Sequence, residues 1–89
     1  MEDKAMTDMN KINDEALENV VGGARRIVRN SSASYANVRS YPGLDPDNVE
    51  YKVYNGESVY TTGKVRYADG YDWYQLDDGN WIAGSLIGY

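Results

Sequence analysis

The side chains that could do chemistry in this sequence are carboxylates and hydroxyls, because the chain contains no histidine and no cysteine. Histidine is the commonest general base and metal ligand, and a serine hydroxyl needs a base beside it to act as a nucleophile. An acidic cluster in a predicted loop, Asp45, Asp47 and Glu50, lacks the central glycine and the ligand spacing of a calcium loop. The residue types therefore predict that the chain is not an enzyme and holds no metal and no cofactor.

A second pattern with chemical meaning is the pair Gly22-Gly23, which follows an apolar stripe at helical spacing. Asn13 is a good N-cap, and acids in the next two positions favour the positive end of a helix. A glycine just past a helix is more often a C-cap than a cleavage site, so the pair alone would indicate only the end of a helix.

The stretch from Met9 to Ala24 resembles the double-glycine leaders of bacteriocin-type peptides. Counting back from the second glycine as one, those leaders have apolar residues at positions four, seven, twelve and often fifteen, which here are Val20, Leu17, Ile12 and Met9. Two departures are Ala16, where the family usually has Glu, and Asn13, where Ser is frequent.

The resemblance implies that residues 1–23 are a leader, an amphipathic helix that is flexible until it is bound. In that family a papain-like cysteine peptidase domain of an ABC transporter binds the spaced apolar residues in a groove. It cuts after the second glycine, so the cleavage site would be Gly22, Gly23 and Ala24, and the mature chain would begin at Ala24.

The composition changes beyond this segment. All nine Tyr and both Trp lie at Tyr35 or later, and there is no Phe. Residues 1–23 carry two basic and six acidic side chains, whereas residues 24–89 carry seven and eight. We therefore expect three parts: the leader 1–23, a linker or frayed first strand over 24–33, and one domain over 34–89. A nearly neutral domain argues against nucleic acid, and no apolar stretch is long enough for stable membrane insertion.

From residue 34 the pattern alternates with a period of two, which is typical of β-strands. Runs rich in Val, Tyr, Trp and Ile are separated by the turn pairs Asn55-Gly56, Asp69-Gly70 and Asp78-Gly79. The expected strands lie near 35–39, 49–54, 57–67, 71–76 and 80–83. The fold class predicted is mainly β, a small barrel preceded by the short helical leader.

Four segments in order resemble those of bacterial SH3-like domains: Ala36-Asn-Val-Arg-Ser-Tyr-Pro-Gly43, Val53-Tyr-Asn-Gly-Glu-Ser-Val59, Tyr71-Asp-Trp-Tyr-Gln-Leu76 and Asn80-Trp-Ile-Ala-Gly-Ser-Leu-Ile87. Departures are Ala36, where Leu is usual, and Asn80, where glycine precedes the second Trp. The resemblance implies an SH3-like barrel, a family whose members commonly bind peptidoglycan.

Large apolar residues at inward positions form the expected core: Val38, Val53, Val59, Trp73, Leu76, Trp81, Ile82 and Leu86. Tyrosine replaces phenylalanine where one edge of a ring stays wet, so several rings are expected to line a surface groove. The candidates for ligand binding are Tyr41, Tyr54, Tyr67, Tyr71 and Tyr74.

These observations predict a polypeptide made in the bacterial cytoplasm, exported by a peptidase-containing ABC transporter, and then extracellular or associated with the cell wall. The mature domain is expected to bind cell-wall peptide or glycan. Two alternatives are a bacteriocin-like or signalling effector, and an intracellular interaction domain with a regulatory helical tail.

Overall fold

Alternating apolar and polar residues form six strands in the part of the chain described by a computed structural model, residues 23–89. The strands are β1 (Arg25–Ile27), β2 (Tyr35–Arg39), β3 (Val49–Tyr54), β4 (Ser58–Ala68), β5 (Tyr71–Leu76) and β6 (Trp81–Ala83). Two 3₁₀ turns, Pro46–Asn48 and Gly84–Leu86, precede β3 and follow β6. The helix expected before Gly22 lies outside the described residues.

The strands form one antiparallel sheet in the order β1-β4-β5-β6-β2-β3. The sheet curls over its own inner face into a half-barrel. A bulge in β4 between Thr61 and Val65 bends the long strand, and Gly63 has a φ of 94° there. The prediction of a mainly β fold is confirmed, and the curled half-barrel is compatible with the small barrel that was expected. Strands β2 to β6 agree with the expected runs to within one residue at each end.

The inner face of the sheet carries the main core. Its members are buried aliphatic side chains from every strand except β1: Ala36, Val38, Val53, Val59, Leu76 and Ile82, joined by Val28 and Ile87 from outside the strands. A second cluster, Trp73, Trp81 and Ala83, lies on the opposite face of β5 and β6. Of the expected core residues, seven are buried, and Leu86 is half-buried against the two clusters.

Residues 24–33 were expected to form a linker or a frayed first strand. The first part of this segment is a strand of the folded sheet. Arg25–Ile27 pair with Ser58–Tyr60 of β4, and Val28 is fully buried. Sequence reasoning did not place Val28, Ala36 or Ile87 in the core, because each lies in a short or weakly apolar run. Within residues 23–89, no helix is long and apolar enough to cross a membrane.

Candidate functional site

Strand alternation puts one set of side chains from β2, β5 and β6 on the outer face of the half-barrel. In β2, Ala36 and Val38 point into the main core, so Tyr35, Asn37 and Arg39 point to the other side. Arg39 pairs with Trp81 of β6, and Trp81 neighbours β5 through Gln75. Three strands thus present one continuous outer surface.

A cleft of about 360 Å³ lies over this outer surface. Its lining combines aromatic rings, amides, hydroxyls and one guanidinium, from the residues Asn30, Ser32, Ala33, Tyr35, Asn37, Arg39, Leu44, Tyr71, Trp73, Ala83, Ser85 and Leu86. A cleft with an apolar floor and a few polar groups is the usual form of a ligand site. We call it the outer cleft.

The floor of the outer cleft is fixed by Trp73, whose ring is only 2% exposed. Its indole N–H donates to the carbonyl of Ala68 at 2.8 Å, which satisfies its one polar atom. The Arg39 guanidinium carbon lies 5.7 Å from the centre of the Trp73 ring. This cation–π contact places a positive charge at the edge of an aromatic surface.

One wall of the outer cleft is the loop between β2 and β3, which is organised around the fully buried Asn48. The Asn48 amide nitrogen donates to the carbonyls of Tyr41 and Gly43 at 2.9 and 3.0 Å. The Asn48 amide oxygen accepts from Nη1 of the Arg39 guanidinium at 2.8 Å. The same Arg39 nitrogen also donates to the carbonyl of Asp45 at 2.9 Å. One amide therefore holds the loop and the cleft's arginine together.

The β4–β5 turn supports this wall from the other side. Asp69 has a φ of 52°, the conformation that an Asp-Gly hairpin turn requires. Its carboxylate accepts from the backbone N–H of Leu44 at 2.8 Å. The turn thereby fixes Leu44 at the edge of the outer cleft.

The opposite wall is the loop that follows β1. Asn55, in the β3–β4 turn, accepts from the N–H of Asn30 at 2.8 Å and donates to the carbonyls of Asn30 and Ala33, each at 3.0 Å. Asn30 in turn donates to the carbonyl of Tyr35 at 2.8 Å. Both walls are therefore irregular segments held in place by asparagine side chains.

The five predicted tyrosines do not share one surface. Tyr71 lines the outer cleft and meets Trp73 edge to face, with ring centres 6.1 Å apart. Tyr71 also borders a neighbouring smaller cleft that Tyr74 lines together with Tyr89. The Tyr74 and Tyr89 rings stack at 4.2 Å, and the Arg26 guanidinium lies 4.3 Å from the centre of the Tyr89 ring.

The other three lie elsewhere among the described residues. Tyr41 is in the β2–β3 loop and donates to Asp45, Tyr54 packs edge to face on Tyr35 with centres 6.0 Å apart, and Tyr67 is 74% exposed on the β4–β5 hairpin. Tyr35 lines the outer cleft but was not among the candidates. Its parity with Asn37 and Arg39 in β2 was the signal that could have found it.

Two tyrosine–aspartate hydrogen bonds shift the acidity of their partners. The hydrogen bond to Asp45 raises the pKa of Tyr41, and the same bond lowers the pKa of Asp45. Partial burial, together with the hydrogen bond to Asp78, raises the pKa of Tyr51 to about 12. None of these four groups lines the outer cleft.

The acidic cluster of the β2–β3 loop has a structural use. The Asp45 carboxylate accepts from the N–H of Asp47 at 2.9 Å and caps the 3₁₀ turn Pro46–Asn48. Within residues 23–89, no group of three or more acidic side chains could hold a metal ion.

Of the expected processing site, Gly23 and Ala24 are described, whereas Gly22 and the four leader residues Met9, Ile12, Leu17 and Val20 lie outside the described residues. Gly23 and Ala24 directly precede β1 and lie beside Thr61 of β4.

Comparisons with protein families, with curated proteins and with solved structures find no match for this chain.

Proposed function

We propose that this chain is an exported precursor whose mature domain, beginning at Ala24, is an SH3-like module that binds cell-wall peptide or glycan. The outer cleft is the observation that carries the binding proposal. The leader pattern, with four apolar residues at the expected distances from Gly23, supports export and processing by a peptidase-containing ABC transporter.

The composition of the outer cleft suits a ligand that is extended and mixed in polarity. Tyr71, which is 43% exposed and packs on the buried Trp73, offers its ring to sugar rings or short apolar side chains. Asn37, Ser85 and Arg39 offer amide, hydroxyl and guanidinium groups to backbone amides, hydroxyls or carboxylates.

The cleft is also prepared before binding. Asn48 and Asn55 hold its two walls by hydrogen bonds of 2.8 to 3.0 Å, so little loop ordering remains to be done when a ligand enters.

A co-sedimentation assay on purified peptidoglycan tests the binding proposal. We expect Tyr71→Ala to weaken binding roughly five- to thirtyfold, because removing a contact aromatic costs ~1–2 kcal/mol. Tyr67→Ala is the matched control, since Tyr67 is exposed and lies outside the outer cleft. Equal loss in the two variants, or no binding by the wild type, would refute the proposed site.

Mass spectrometry of the material released into the medium tests the export proposal. We expect a product that begins at Ala24. An intact chain in the cytoplasm, with no product in the medium, would favour the intracellular alternative.

A further inference from the structure

The junction between Gly23 and Ala24 is part of the folded sheet. The Ala24 N–H donates to the Thr61 hydroxyl oxygen at 3.1 Å, and the Ala24 carbonyl accepts from the Thr61 N–H at 2.9 Å. The Thr61 hydroxyl also lies 3.3 Å from the same carbonyl. Because Arg25 pairs with Tyr60, these bonds extend the β1–β4 ladder by one residue towards the leader.

The position of Gly23 beside β4 also requires a residue without a side chain. A Cβ atom at this position would collide with the backbone carbonyl oxygen of Thr61, so only glycine lets the chain run this close to β4.

Thr61 is itself 5% exposed, so it cannot move away easily. Further along, the Val28 N–H donates to the carbonyl of Glu57, and the N–H of Gly56 donates to the carbonyl of Val28, each at 2.9 Å. Lifting β1 off the sheet therefore breaks backbone bonds and exposes a buried valine.

A peptidase binds the segment around its scissile bond as an extended strand, using the backbone groups of that segment for its own hydrogen bonds. In the folded chain those groups at Ala24 are already bonded to Thr61. We infer that the folded domain blocks its own processing: the bond after Gly23 is cut only in chains whose β1 has left β4. This inference rests on the proposed cleavage after Gly23.

If the folded domain blocks cleavage, the rate of cleavage after Gly23 depends on how much of the chain is unfolded at the junction. When opening is fast relative to cleavage, the rate of cutting follows the population of open chains. Cleavage would then occur on newly made or unfolding chains, and a precursor that had already folded would be a poor substrate.

The test uses the full-length precursor and a purified papain-like peptidase domain that accepts double-glycine leaders, with cleavage after Gly23 followed by mass spectrometry. Ile82→Ala removes a fully buried core side chain and should raise the cleavage rate at least about thirtyfold, because such truncations cost ~2–5 kcal/mol. The folded fraction of each variant is measured in parallel by tryptophan fluorescence.

A second pair of variants tests the junction without unfolding the domain. Thr61→Val keeps the side-chain shape but removes the hydroxyl that bonds Ala24, so we expect cleavage to rise about fivefold, as for the loss of one hydrogen bond. Thr62→Val is the matched control, because the Thr62 hydroxyl donates to Gln75 and accepts from the Lys64 N–H but does not contact Ala24. At equal folded fraction, its loss should leave the cleavage rate unchanged.

The outcomes separate this inference from the proposed function. Equal cleavage rates for wild type, Ile82→Ala and Thr61→Val would overturn the blockade while leaving processing intact. The absence of cleavage after Gly23 in either chain would overturn the proposed processing, and the blockade with it. If Thr62→Val raises the cleavage rate as much as Thr61→Val does, the hydrogen bond between the Thr61 hydroxyl and Ala24 does not protect the junction.

Discussion

Asn48→Ala should cost this domain much of its stability and disorder one wall of the outer cleft. Asn48 is fully buried, and its side chain makes three hydrogen bonds, two to loop carbonyls and one from Arg39. At about 1 kcal/mol for each bond, the truncation removes about 3 kcal/mol from the free energy of unfolding. At ~0.05–0.15 kcal/mol per residue, a domain this small is stable by only roughly 3–10 kcal/mol.

Urea unfolding followed by tryptophan fluorescence measures this loss. The Trp73 ring reports on the loop because the Arg39 guanidinium, which Asn48 holds, lies over it. With a slope of about 1 kcal/mol per M urea, the midpoint should fall by roughly 3 M. Asn37→Ala is the control, since Asn37 is half-buried in the outer cleft and should lower ligand binding with little effect on the midpoint. A loss below about 1 kcal/mol for Asn48→Ala would refute the idea that this amide organises the loop.

Further predictions at Asp78, Tyr51, Asp69 and Gly84 follow from the same structure. Hydrogen bonds from Tyr51 and from the backbone, opposed by partial burial, hold the pKa of Asp78 below its ordinary value of 3.8, so the stability that Asp78 contributes is present above that pH and is lost as the pH falls further. The pKa of Tyr51 is raised from 10.0 to about 12, so the stability that Tyr51 contributes is complete below pH 10 and is lost between pH 10 and 12. When the unfolding midpoint is measured across pH, its pH dependence should become flatter at the acid end in Asp78→Asn and at the alkaline end in Tyr51→Phe. Asp69→Ala should destabilise the domain by about 1–3 kcal/mol in thermal unfolding, through the positive φ and the lost bond to the loop amide, whereas Asp69→Gly should recover the part due to φ; equal losses would contradict this division. Gly84→Ala should cost about 1–3 kcal/mol, because the new Cβ would lie 2.5 Å from the Tyr74 ring. A smaller cost of the same substitution in a Tyr74→Ala background would confirm the clash as the cause.

The strands could be predicted from the sequence because each carries its own alternation. A few residues are enough to indicate which face of a strand is buried, as Trp73 and Leu76 do in β5 and Val38 does in β2. The Asp-Gly and Asn-Gly pairs indicate where the chain turns. Strand β1 had no such signal. It has three residues, two of them arginine, and it is stabilised by long-range pairing with β4.

The outer cleft was harder to predict, because its walls are loops positioned by residues distant in sequence. Asn55 holds the segment around Asn30, and Asp69 holds Leu44; each pair is 25 residues apart. Composition identified tyrosine as a surface-lining residue but not which tyrosines meet. Parity within β2 would have added Tyr35, whereas the distance between Tyr67 and the cleft depends on the tertiary fold alone.

Under the proposed function, the same long-range bonds link ligand binding to removal of the leader. The walls of the outer cleft depend on Asn48 and Asn55, and the junction depends on Thr61, so unfolding of the whole domain removes the cleft and opens the junction together. An unfolded chain is then open to the peptidase but has no cleft, and a folded chain has the cleft but a closed junction. A precursor that folds early would bind ligand while still carrying its leader, and the partition between the two fates is set by the ratio of the folding rate to the rate of cleavage. Slowing folding without changing the cleft should therefore raise the yield of chains that begin at Ala24.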